Sequence, residues 1–136
     1  MRTALGIVFG VAAALLIVAA VEQADAAMYP LPTLDSADAA TLSGVVSDMP
    51  FPAKILTVSG WFAGAFGGAW LGLRVCDRRW VGWAVVVAVV AAAVATILTL
   101  PHPLWMKVCA IVLPMLGGAL AGRAHRKPYP GEALLG

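Results

Sequence analysis

Four apolar runs separated by polar or proline-containing breaks organise this chain. They cover residues 5–21, 55–75, 81–100 and 104–122. Within each run the apolar residues occupy every face of a helix, not one stripe, which marks helices surrounded by apolar material on all sides. A bilayer core about 30 Å thick needs roughly 20 helical residues to cross it. The first run, with 17 residues, spans about 25 Å at roughly 1.5 Å per residue, a short but sufficient crossing. The pattern predicts one all-α membrane domain over residues 1–136, a four-helix transmembrane bundle.

The breaks predict the connections. Residues 22–54 form a long polar connection that carries five acids and, before Lys54, no Lys or Arg. Its Tyr29-Pro30-Leu31-Pro32 segment cannot be regular helix, because proline fixes φ and lacks a donor. Asp35 then reads as an N-cap with Asp38 at the third helical position. Leu42, Val45, Val46 and Met49 follow at helical spacing, so a short amphipathic helix is expected over 36–48, lying on the membrane or capping the bundle. Pro50-Phe51-Pro52 ends it. Pro101-His102-Pro103 makes a tight turn between the last two runs, and 123–136 forms a tail. Pro114 is a potential kink in the fourth run. The first run has a rival reading as a secretory signal, because Ala24-Asp25-Ala26 has the small-x-small form of a cleavage site. Its length exceeds the usual apolar core of about 7–15 residues in such a signal, which favours a retained span.

Small residues recur inside the runs. Gly60, Gly64, Gly68 and Gly72 form a four-member glycine zipper in the second run. Gly6, Gly10 and Ala14 make a similar face in the first, Ala84, Ala88, Ala92 and Thr96 in the third, and Gly118 and Gly122 in the fourth. Lipid tails are as apolar as leucine, so helices associate in membranes through close backbone approach, which such faces permit. The ends of the second and fourth runs also resemble each other. Gly67-Gly68-Ala69-x-x-Gly72 precedes Arg74, and Gly117-Gly118-Ala119-x-x-Gly122 precedes Arg123, each preceded in turn by a Pro-x-Pro turn. This suggests two copies of one helical hairpin related by an axis along the membrane normal, with the two glycine faces set against each other. Glycine-rich helix ends and pre-helix prolines also arise in membrane proteins without duplication.

Composition and charge sharpen the class. The chain is 62% hydrophobic and 12% charged, against about 25% charged in a typical soluble domain. The four-span arrangement puts Arg2, Arg74, Arg78, Arg79, Arg123, Arg126 and Lys127 on one side and only Lys54 and Lys107 on the other, with five of the seven acids. The positive-inside rule then predicts cytoplasmic N- and C-termini, with the acidic connection facing outward. A net charge of +2 is no signal for nucleic acid.

Candidate chemistry is sparse. No Ser/His/Asp array, nucleotide loop or metal-ligand spacing is present, so no enzyme activity, cofactor or metal is expected. Cys76 and Cys109 fall toward opposite edges and read as packing residues. Thr57, Ser59, Thr96 and Thr99 read as hydroxyls bonded to carbonyls of their own helices. Glu22, Lys54, His102 and Lys107 all fall near the outer edge and could form a polar rim. A Glu22–His102 pair would be a proton-responsive contact, since histidine titrates near neutrality.

Tyr29-Pro30-x-Pro32 with Leu34-Asp35 and Asp38, Gly60-Trp61 with Gly64-Ala65 and Gly67-Gly68, and Pro101-His102-Pro103-Leu104-Trp105 together resemble a group of small four-span inner-membrane proteins of proteobacteria. The resemblance covers about residues 20–122. It implies a bacterial inner-membrane location and brings no activity. Small multidrug-resistance transporters are similar in size and span number, but they place a glutamate within the first span, whereas Glu22 falls at its predicted end. The expected role is a structural or accessory subunit in the lipid bilayer, with a membrane-protein partner or a homo-oligomer. The alternative is a small oligomeric channel or transporter.

Overall fold

A computed structural model describes residues 1–30, 39–99 and 102–125, without the side chains of 39–43. Five helices follow in order: α1 (Arg2–Met28), α2 (Ala39–Asp48), α3 (Phe51–Val75), α4 (Arg79–Thr99) and α5 (Leu104–Ala124). All but α2 are long and apolar enough to cross a membrane. The capping residues Asp35 and Asp38, the last two residues of the proline segment, and Pro101, Arg126 and Lys127 lie outside the described residues.

The first helix outruns its apolar stretch. It continues through Glu22 and Asp25 to Met28, because Glu, Gln, Ala and Met are all good helix formers and no glycine or proline interrupts them. Tyr29 stops it, since the residue before a proline is driven out of the α region. Ala24, Asp25 and Ala26 are thus helical. At the start of α3, Pro50 is the N-cap and Pro52 sits in the first turn, where a missing N–H costs nothing. The helix therefore begins at Phe51, ahead of its apolar run. Pro114 is accommodated inside α5 and is fully buried.

The four long helices pack around α3, which touches α1, α4 and α5. Its neighbours along the chain fix the directions. Gly6 faces Gly72, Gly10 faces Gly68, Ala14 faces Gly64, and Val21 faces Gly60, so α1 and α3 are antiparallel. Phe51 meets Trp105, and Ala69 packs with Ala121, so α3 and α5 run parallel. Gly6 and Gly10 also approach Val81 and Val85, making α1 and α4 parallel.

The core is three layers stacked along α3. Nearest Lys54, Val58 and Trp61 pack with Ala93, Met106 and Ala110. In the middle, Ala65 meets Ala14, Val85 and Val89. Toward Arg74, Ala69 meets Val86 and Ala121. The least apolar of the long helices thus occupies the centre: mean hydropathy over the most apolar window is 1.2 for α3 and 2.8 for α1, which is the most exposed. Glycine lowers hydropathy while permitting close packing, so the helix with the zipper is the one enclosed by neighbours.

Candidate functional site

The zipper is closed within the chain, against α1. A Cβ on Gly68 would stand 2.5 Å from the Gly10 carbonyl oxygen and 2.6 Å from the Ala14 Cβ. On Gly64 it would stand 2.9 Å from the Ala14 oxygen, and on Gly72 3.1 Å from the Gly6 oxygen. The small face of α1 therefore fills the zipper, and the expected meeting of the two glycine faces does not occur. On α5 the close approach to α3 falls to Gly117, whose Cβ would lie 2.7 Å from the Phe62 oxygen. Gly118 faces Val86 of α4, and Gly122 has open space around it. Gly68 and Gly118 each face the preceding helix of their own hairpin. Gly67, however, meets Ile17 of α1 whereas Gly117 meets α3. The sequence repeat is therefore only partly mirrored in the packing, because α3 sits between α1 and α5.

Two carboxylates of α1 form the polar part of the Lys54 half. Glu22 and Asp25 are three residues apart and project from neighbouring positions on the helix. Asp25 is half-buried and accepts a 3.2 Å hydrogen bond from the Thr57 hydroxyl on Oδ2, while its buried Oδ1 has no partner among the described residues. The Thr57 hydroxyl also lies 3.1 Å from the Ala53 carbonyl. Glu22 opens onto a groove of about 280 Å³ between α1 and α4, lined by Leu15, Val18, Trp61, Val89 and Thr96. The Thr96 hydroxyl is taken by the Ala92 carbonyl and Trp61 is almost wholly enclosed, so the groove presents one carboxylate and an apolar wall. Chemically this suits a cation with an apolar body, because the carboxylate attracts positive charge and the wall offers apolar contact.

The other expected rim residues are placed differently. The Lys54 ammonium donates to the Ser47 carbonyl at 3.1 Å, tying the end of α2 to α3. His102 sits in the turn before α5 and Lys107 is exposed in its first turn. Among the described residues Glu22 carries no hydrogen bond or ion pair, so the Glu22–His102 contact is not formed. The reason is the extension of α1, which leaves Glu22 inside the helix facing α4. The sequence reading missed Asp25 as a half-buried group, although its i,i+3 spacing from Glu22 was the available signal.

At the opposite end, His125 Nε2 lies 3.0 Å from Asp77 Oδ1, joining the end of α5 to the turn between α3 and α4. Arg74 stacks over Trp70 at 4.8 Å. Cys76, buried at this end, reaches Thr3 at 3.5 Å, and both cysteines are free. Nothing in the local sequence pointed to the His125–Asp77 contact, which depends on where α5 ends. Among the described residues no three His, Cys, Asp or Glu side chains converge as a metal-ligand set.

The class defined by these features is an all-α protein of four long helices, each able to cross a membrane by length and composition. No family model, curated protein or solved structure matches the chain.

Proposed function

We propose that this is a four-span inner-membrane protein with cytoplasmic termini, acting as a structural or accessory subunit beside other membrane proteins. Twenty residues separate Lys54 from Arg74, about 30 Å of helix at roughly 1.5 Å per residue, which equals the thickness of a bilayer core. Exposed Trp80 and Trp83 lie at the arginine end, and exposed Phe51 with Trp105 at the lysine end, as interfacial aromatic belts do. Arg2, Arg74, Arg78, Arg79 and Arg123 at one end support cytoplasmic termini.

The observation that carries the accessory role is the filled bundle axis. Trp61, Met106, Val81, Val85, Val89 and Pro114 are fully enclosed there or nearly so. The glycine seam is occupied by α1, so a homo-oligomer would use other faces. The exposed apolar faces of α1 and α5, including Phe9, Leu16, Val108 and Met115, are left for lipid or for the helices of a partner. Cross-linking in native membranes, followed by purification in mild detergent, is expected to recover a stoichiometric integral-membrane partner. Recovery of the chain alone, as a monomer, under both conditions would overturn the accessory reading. A C-terminal reporter active only in the cytoplasm tests the topology separately.

The Glu22 groove favours a second reading, a small transporter for lipophilic cations. It predicts that proteoliposomes take up a permeant aromatic cation and that Glu22→Gln abolishes the uptake. Equal rates in protein-free liposomes would dismiss it.

A further inference from the structure

A second groove, at the arginine end, has a different character. It holds about 350 Å³ between α4 and α5, with Leu73 of α3 at its base. Gly82 and Trp83 line one wall, and Gly118, Ala119 and Gly122 the other. Arg79 and Arg123 stand at this groove as well. Arg79 opens α4 and Arg123 lies in the last turn of α5, so both guanidiniums lie at one end of an otherwise apolar trough. The opening exists because Gly122 has no side chain and no atom within 4 Å of where a Cβ would lie. Both arginines are exposed, and among the described residues neither has an ion-pair partner. The nearby carboxylate of Asp77 is engaged by His125.

We infer that this groove holds an anionic phospholipid, with the headgroup phosphate on Arg79 and Arg123 and the start of one acyl chain along Gly118 and Gly122. Guanidinium groups match phosphate oxygens by paired hydrogen bonds. Basic pockets between spanning helices at a cytoplasmic face suit acidic headgroups. Trp83, exposed and lining the groove, provides an amphipathic ring at headgroup level. The volume lies at the low end of ligand clefts, roughly 300–1,000 Å³, enough for the glycerol region and the first methylenes with the remaining chain in the bilayer. The inference rests on the membrane assignment above and is independent of the accessory role.

The test is lipid retention. The protein is reconstituted in nanodiscs of equal phosphatidylglycerol and phosphatidylethanolamine, released into mild detergent, and its bound lipid is counted by native mass spectrometry. Phosphatidylglycerol is expected to be retained in preference to phosphatidylethanolamine. Arg79→Gln with Arg123→Gln should lower that retention by about fivefold per arginine, roughly 25-fold together. Gly122→Phe, which fills the groove and leaves both charges, should lower retention too. Arg74→Gln with Arg78→Gln removes equal charge outside the groove and should leave it unchanged. Added inorganic phosphate should not displace the lipid; if it does, the site binds phosphate and not phospholipid. Equal retention of the two lipids, or equal losses in the two double variants, overturns the inference. Carbonate extraction of the source membranes reports insertion separately, so a failure of the membrane assignment is distinguishable.

Discussion

Gly68→Ala is the sharpest perturbation of the α1–α3 seam. The added methyl would sit 2.5 Å from the Gly10 carbonyl oxygen and 2.6 Å from the Ala14 Cβ. Both obstacles are parts of α1 that cannot rotate away, so the helices must separate by several tenths of an ångström to about 1 Å. A radial gap of roughly 0.5–1 Å forfeits a quarter to a half of each dispersion contact across it, and overpacking of this kind costs about 1–3 kcal/mol. Gly122→Ala is the matched control, because its Cβ meets nothing within 4 Å. Both substitutions gain helix propensity, up to about 1 kcal/mol relative to glycine and less at Gly122 in the last turn of α5, so a net loss at Gly68 reports the packing term. The difference between the two variants is expected to be about 2 kcal/mol.

The assay is reversible unfolding in mixed micelles, followed by tryptophan fluorescence, since Trp61 is enclosed beside the seam. Gly68→Ala should unfold at distinctly lower denaturant fraction than Gly122→Ala. Adding Ala14→Gly should recover only part of the loss, because the Gly10 carbonyl remains in place. Equal stability of the two alanine variants would refute the close α1–α3 approach.

Other outcomes can be measured on the same preparation. Thr57→Val removes the hydroxyl that bonds Asp25 Oδ2 and leaves a half-buried carboxylate without its protein donor, costing about 1–3 kcal/mol in the same unfolding assay. Asp77→Asn weakens the contact to His125; with Asp77 largely exposed, solvent screening limits the global loss to under about 1 kcal/mol. Hydrogen exchange should nevertheless speed up at the end of α5 near Ala121 and His125. Gly117→Leu, directed at the α3 backbone, should separate α5 from α3 and raise the labelling of half-buried Cys109 by a small maleimide.

Much of the architecture was legible because apolar run length and proline position are local signals. The four runs appear as helices in nearly the expected places, and Pro50 and Pro103 stand at helix starts. Hydropathy marks the apolar run, whereas propensity decides where a helix stops, and residues 22–28 carry Glu22, Gln23 and Asp25 yet are helix-forming. That difference moved Glu22 and Asp25 from a loop into α1. The partner of the zipper was not legible for another reason. Gly6, Gly10, Gly118 and Gly122 present similar small faces, and spacing alone cannot say which of them α3 meets. The choice depends on which helix lies beside α3, a property of the whole bundle.

The same geometry separates the two glycine-bearing helices by role. On α3 every zipper glycine has a neighbour close enough that a side chain would collide or press against it. On α5 Gly117 alone meets backbone, Gly118 meets a side chain, and Gly122 meets nothing. A seam packed against backbone at successive turns holds two helices in one register, because sliding either helix brings a carbonyl or a Cβ into collision. A helix with one close contact and an open glycine one turn further on leaves a trough beside its neighbour. In α5 that trough ends at Arg79 and Arg123, where an apolar wall meets positive charge. Packing asymmetry between two similar stretches thus converts one into a structural seam and the other into a surface suited to a ligand.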